Sequence, residues 1–151
     1  MGKKIIQLKS ETQIYNALMD FSTYMFKPLE IRGVTYMEYA KKLRQYAEVY
    51  VAIESNKEVG IIAFYCNDFK DYKGFLSNII VQDVSRRSGV GSFLLELFLR
   101  RCQECRMHTA MLEVHEDNYV ARSFYEKYGF KVTKKVGDFS VYMEKELINT
   151  M

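Results

Sequence analysis

The sequence has no tryptophan, a single proline (Pro28) and no apolar run of bilayer-spanning length. Each shortage excludes something. One proline in 151 residues leaves no room for a proline-rich linker, and with 48% of residues apolar the chain has too much to bury to stay disordered. Residues 1–151 are therefore expected to fold as a single domain. Net charge is scarce as well. At +3, with lysines and arginines dispersed along the chain, no strongly basic surface for nucleic acid is expected. The N-terminus "MGKKIIQLKSETQ" is basic but its apolar run is too short for a signal-peptide core, so the expectation is a cytoplasmic protein with no membrane partner.

Cysteine is sparse and odd in number. Three cysteines without an export signal suit a reducing compartment rather than a disulfide framework. "CQEC" followed by His108 spaces Cys102, Cys105 and His108 like part of a zinc site. The two cysteines also continue the apolar stripe of a helix, and the spacing supplies no second ligand pair, so no metal is expected.

What the chain does have is a changing hydrophobic period. Residues 4–8 read as a first strand. Ile14, Ala17, Leu18, Phe21 and Met25 recur at helical steps, giving a helix from Thr12 to about Phe26, stopped by Pro28. A second helix starts near Thr35, with Met37, Ala40, Leu43 and Ala47 as its stripe. Period-two alternation over residues 48–66 predicts a β-hairpin, and "FLSNIIVQ" a central strand. A helix from Gly89 to about Cys105 follows, turning Val90, Phe93, Leu94, Leu97 and Phe98 inward, and then the strand "TAMLEVH". Asn118 is placed to cap the helix "YVARSFYEKY", which Gly129 ends; a hairpin turning at Gly137 and Asp138 closes the chain. The order is β-α-α-β-β-β-α-β-α-β-β, a mixed α/β arrangement.

The loop "VSRRSGVGS" carries the first chemical signal. A helix start offers unpaired N–H groups and a positive dipole end; Gly89 and Gly91 clear side chains from it, and Arg86 and Arg87 add charge suited to phosphate oxygens. Glycine-containing strand-to-helix turns also serve tight packing alone. No Gly-Lys-Ser/Thr is present, and no third glycine follows, which excludes a P-loop and a dinucleotide fingerprint.

"RRSGVG" resembles the Q/R-x-x-G-x-G/A signature of the GNAT superfamily of N-acetyltransferases, and "LEVHEDNYVARSFYEKYGF" resembles a second segment of the same family, in step at Asn118, Ala121, Tyr125, Gly129 and Phe130. Asp83 and Arg87 depart from the proline and glycine common there. The resemblance implies a GNAT-like fold, a mixed central sheet of about six to seven strands flanked by about four helices. It implies acetyl-CoA as co-substrate, with the backbone of Ile79, Ile80 and Val81 alongside the pantetheine arm. Arg86, Arg87, Ser88, Gly89, Val90, Gly91 and Ser92 would wrap the pyrophosphate, and Asn118 would approach the pantetheine. No metal is implied.

Amide formation from a thioester needs a base for the amine, a stabilised oxyanion and a proton for the departing thiolate. Glu113 is the candidate base. It faces away from Leu112 and Val114, and ribosomal-protein alanine acetyltransferases, which the segment resembles through "LEV" and Asn118, carry a base there. A solvated strand carboxylate, or one paired with an arginine, is the competing reading, and His115 or a water relay are alternative bases. Tyr125, two helical turns after Asn118, is the candidate acid, the competing role being a tyrosine packed in the core. Tyr128 reads as structural, and a backbone N–H near Val81 as the oxyanion donor. Tyr36, Tyr39 and Tyr46 either line an acceptor pocket or belong to the core.

The expected activity is direct N-acetylation of a primary amine, on a small molecule or amino sugar or else on a protein N-terminus, by a monomer or homodimer. The alternative is a non-catalytic acyl-CoA-binding module that regulates or scaffolds a partner. Acceptor contacts are expected from "KPLEIRGVT" and from the Gly137-Asp138 turn.

Overall fold

A computed structural model describes residues 2–25, 35–82 and 88–147. They form strands β1 (Lys4–Leu8), β2 (Glu48–Glu54), β3 (Lys57–Tyr65), β4 (Lys73–Val81), β5 (Thr109–His115), β6 (Lys131–Val136) and β7 (Ser140–Glu146). The helices are α1 (Glu11–Phe21), α2 (Tyr36–Tyr46), α3 (Val90–Glu104) and α4 (Tyr119–Lys127). The element order and the counts of strands and helices agree with the GNAT-like arrangement expected from the sequence.

The strands make one mixed sheet in the order β1-β2-β3-β4-β5-β7-β6. The apolar strand β4 sits at its middle. Every neighbouring pair is antiparallel except β4 with β5, which the α3 crossover makes parallel. Each face of the sheet buries its own core. Leu94, Leu95 and Phe98 of α3 pack with Phe64, Leu76, Leu112 and Tyr125 on one face, and Ile14, Leu18, Phe21, Ala40 and Leu43 of α1 and α2 pack with Val49, Val51, Ile61 and Ile80 on the other. Because α1 and α2 lie over β2 and β3, their face of β5 keeps Glu113 exposed.

Local chemistry sets the helix ends. Ser10 and Gln13 form a reciprocal capping box on α1, and the Thr35 hydroxyl accepts from Glu38 N–H at 3.1 Å on α2. Helix α1 ends at Phe21, short of Phe26, and runs into a 3-10 turn at Ser22–Tyr24; the Ser22 hydroxyl donates to the Met19 carbonyl at 2.8 Å, a local bond that competes with further α-helix. On α2 the buried stripe is Tyr36, Ala40 and Leu43, and Met37 is exposed, because the helix starts directly after its Thr35 cap and so rotates Tyr36 inward. On α3, Leu95 is buried and Phe93 only partly, since the helix also meets α4.

Candidate active site

The parallel join between β4 and β5 is short. Lys73, Gly74, Phe75 and Leu76 pair with Thr109, Ala110, Met111 and Leu112, and there the pairing stops. One cause is a register shift between β3 and β4: Ala63 pairs with Asn78 and Phe64 with Leu76, so Ser77 is an extra residue that bends β4. Beyond it, residues 77–80 of β4 have no partner strand on that edge among the described residues. The backbone of Ile79 and Ile80 borders this opening, and Val81 ends it. Ile79 and Val81 turn their side chains toward the α3/α4 face, Ile80 toward α1 and α2.

At the head of the opening stands the start of α3. Gly89 is its N-cap residue in the left-handed conformation (φ 84°), with no side-chain cap, whereas Ser10, Thr35 and Asn118 cap α1, α2 and α4 with their side chains. No acidic residue occupies the first turn, which suits the positive helix end to an anion. A Cβ on Gly89 would meet nothing within 4 Å, while one on Gly91 would lie 3.5 Å from Phe124 of α4 and 4.0 Å from Val81. Ser88 and Gly89 are exposed, Val90 is buried and Ser92 is half-buried at the same turn. Arg86, Arg87 and Asp83 lie outside the described residues, as does most of the "KPLEIRGVT" stretch.

Helix α4 brings the next groups. The Asn118 side-chain oxygen accepts from Ala121 N–H at 3.2 Å, which leaves its amide nitrogen for another partner. Tyr125 is 7% exposed, packed between Phe124 and Phe130, with its ring on the α3/α4 face. Its hydroxyl makes no hydrogen bond among the described residues. Burial pushes the phenol pKa above its ordinary value, so it holds its proton at neutral pH. Tyr128, by contrast, donates to Glu96 at 3.4 Å across to α3.

Glu113 is the first residue of β5 past the parallel pairing, opposite Tyr142 on β7. It is exposed and forms no ion pair with an arginine or lysine among the described residues. Two residues on, His115 stacks on Phe139 at 6.0 Å, and its Nδ1 accepts from Asp117 N–H at 3.2 Å. That bond holds the ring against the Gly137 turn. Glu113 thus stands where β4 and β5 part, and Tyr125 on the opposite face of the sheet.

Sequence reasoning missed a polar cluster on the Glu113 face. Tyr39 of α2 shares a short hydrogen bond with Ser77 and accepts from Asn78 Nδ2 at 2.5 Å. Asn78 Oδ1 and the hydroxyl of nearby Tyr65 are buried and have no hydrogen-bond partner among the described residues. Burial, with Tyr39 beside it, pushes the Tyr65 pKa up to about 12. Of the three tyrosines singled out on α2, Tyr36 is buried core, Tyr46 is exposed and Tyr39 joins this cluster. The signal that could have found Asn78 is a polar Ser-Asn pair inside an otherwise apolar strand.

The sequence profile described as "Acetyltransferase (GNAT) family" matches residues 12–130. No curated protein matches the chain. Among solved structures, the ribosomal-protein-S18-alanine N-acetyltransferase from Escherichia coli superposes with a TM-score of 0.78 at 19% identity, over 99% of this chain and 96% of that one. PH1933 from Pyrococcus horikoshii OT3 gives 0.76 at 29% identity, over 97% and 99%. The PaiA N-acetyltransferase from Thermoplasma acidophilum, solved in complex with coenzyme A, gives 0.74 at 21% identity, over 97% and 100%.

Proposed function

The chain belongs to the acetyltransferase (GNAT) family and is an acetyl-CoA-dependent acyltransferase; on that premise we propose that it acetylates a primary amine of a small polar molecule, such as an amino sugar, by direct transfer. The observation that supports this most is the opening between β4 and β5, with Tyr125 on one face of the sheet and Glu113 on the other. A donor and an acceptor can enter it from opposite sides.

On the donor side, the N–H groups at Ser88 to Ser92, with Arg86 and Arg87 preceding them, hold the pyrophosphate. The β4 edge at Ile79 and Ile80, with Val81 at its end, runs beside the pantetheine, and the Asn118 amide reaches it from α4. On the acceptor side, Glu113 takes a proton from the ammonium, directly or through water. The neutral nitrogen attacks the thioester carbon, and a backbone N–H at the Val81 end of β4 stabilises the oxyanion. As the C–S bond breaks, Tyr125 gives its proton to the sulfur; the nitrogen sheds its second proton, which returns through water to the phenolate, and the acetamide and CoA thiol leave. No covalent enzyme intermediate is needed, and no metal takes part in the transfer.

The polar cluster of Tyr39, Ser77 and Asn78 on the Glu113 face supports a small, polar acceptor. A protein N-terminus is the second reading, favoured by the superposition on the S18-alanine N-acetyltransferase. The three free cysteines fit a cytoplasmic setting.

The test is CoA release from acetyl-CoA across amino sugars, other small amines and an N-terminal alanine peptide, with Tyr125→Phe and Glu113→Gln alongside. Amine-dependent release that both substitutions depress supports the enzyme. Tight CoA binding with no amine accelerating release, and no effect of either substitution, would leave only an acyl-CoA-binding module.

A further inference from the structure

The three cysteines take no part in the reaction above, yet the fold gathers them. Cys66 follows β3, Cys102 lies in the last turn of α3 and Cys105 is its C-cap residue; the Sγ atoms of Cys66 and Cys102 are 3.5 Å apart. The ligand atoms of Glu48, Cys66 and Cys105 all lie within 4.8 Å of one another. His108, which the sequence spacing suggested as a third ligand, is elsewhere, stacked on Tyr72 at 4.8 Å. The partners missing from the "CQEC" spacing come instead from β2 and from the end of β3.

We propose that Glu48, Cys66 and Cys105, with Cys102 as the fourth donor, form a structural site for one zinc ion at the C-terminal end of α3.

The dimensions suit that ion. Zinc–thiolate bonds of about 2.3 Å put tetrahedral ligand atoms about 3.8 Å apart, close to the spacing of Glu48, Cys66 and Cys105, which lie within 4.8 Å of one another, and of Cys66 and Cys102 at 3.5 Å. Three sulfurs and one carboxylate are donors a borderline-soft d10 cation accepts, and they do not suit magnesium or calcium. The surroundings orient the carboxylate. Arg101 Nε donates to Glu48 Oε1 at 2.9 Å and its NH2 to Oε2 at 3.1 Å, while the Tyr50 hydroxyl donates to Oε1 at 2.6 Å. One lone-pair position on Oε2 is left for a metal, and Arg101 and Tyr50 hold the group as outer-shell partners do. Room for the Cys102 sulfur is built in, since a Cβ on Gly74 would stand 2.3 Å from it. Cys66 and Cys102 are buried, and partly exposed Cys105 and Glu48 give the ion an entry side.

Binding replaces S–H protons with S–Zn bonds and releases those protons to solvent, with no change of oxidation state. The site lies at the opposite end of α3 from Gly89, about 22 Å away for a helix of this length. It would tie α3 to the ends of β2 and β3 without touching the reacting groups.

The experiment uses full-length protein, reduced and stripped with a chelator, then titrated with cobalt(II). Thiolate-to-cobalt charge-transfer absorption with tetrahedral visible bands, saturating at one equivalent and displaced by zinc, is the expected result. Cys66→Ser and Cys105→Ser should abolish it, and Tyr50→Phe should weaken zinc binding roughly tenfold. Because the serine variants risk misfolding, zinc protection of the wild-type thiols against a disulfide reagent, reversed by chelator, is measured in parallel. Absence of both the charge-transfer band and thiol protection in the wild type overturns the proposal. So does an unchanged band in a folded Cys66→Ser variant.

Discussion

Tyr125 and Tyr65 are both buried phenols with raised pKa values, and the difference between them lies in what their oxygens face. The Tyr125 hydroxyl has no hydrogen bond to lose, so Tyr125→Phe should keep the fold and the affinity for acetyl-CoA while lowering kcat by ~10²-fold, the scale of a lost proton donor. Steady-state kinetics beside a CoA-binding isotherm separate the two. Tyr65→Phe should do the reverse. It removes a buried hydroxyl without a partner, so stability at neutral pH should hold or rise by about 1 kcal/mol, while KM for the amine rises. It should also alter the alkaline limb of stability. An unfolded tyrosine loses its proton near 10.0, and folded Tyr65 keeps it to about 12. Between those values the unfolded state binds fewer protons, so stability falls as pH rises through that window. Thermal unfolding from pH 9 to 12 should show a shallower fall in Tyr65→Phe. Glu113 and Tyr125 could be proposed from the sequence because a spaced motif carries them. Tyr65 and Asn78 were not legible: the Ser77-Asn78 pair interrupts the apolar pattern of β4, but the pattern does not tell that a bulge at Ser77 brings Asn78 to Tyr39.

At the scale of elements, three glycines make different demands. Gly89 starts α3 at positive φ, so Gly89→Ala should cost roughly 1 kcal/mol through backbone strain although its Cβ would touch nothing. Gly91 sits inside the helix with ordinary clearance to Phe124. Gly91→Ala should leave the melting temperature equal or higher, and any loss of CoA affinity there reports on ligand approach. Gly74 is the severe case: an added methyl would overlap Cys102 Sγ, and Gly74→Ala should cost ~1–3 kcal/mol, largely recovered when Cys102→Ala is combined with it. A double-mutant cycle by chemical denaturation measures that coupling. The element order was readable from period changes and from the local signals at Asn118 and Gly129. The end of α1 and the face of Met37 were not, because side-chain bonding at Ser22 and the start point of α2 decide them.

For the molecule as a whole, a ligand held by α3, β4 and α4 together should stabilise all of it. At CoA concentrations one hundred times Kd, mass action adds ~2.7 kcal/mol, which for a chain of this size is a rise of roughly 5–11 °C in Tm. ATP at the same concentration should give none of it, and equal shifts from both would argue for a generic phosphate site. Differential scanning fluorimetry reads the difference. The sheet order was only partly legible, since β7 lying between β5 and β6 is fixed by pairings that no local pattern encodes.

The short parallel seam also bears on how the chain folds. Strands β2, β3 and β4 are consecutive hairpin neighbours, as are β6 and β7, and such pairings form from residues near in sequence. Lys73 to Leu76 meet Thr109 to Leu112 only through the α3 crossover, so this join, like that of β1 with β2, belongs to the non-local pairings that slow folding. A longer seam would give a more continuous sheet and no opening. The chain leaves this parallel pairing incomplete at the place where the proposed donor and acceptor would meet.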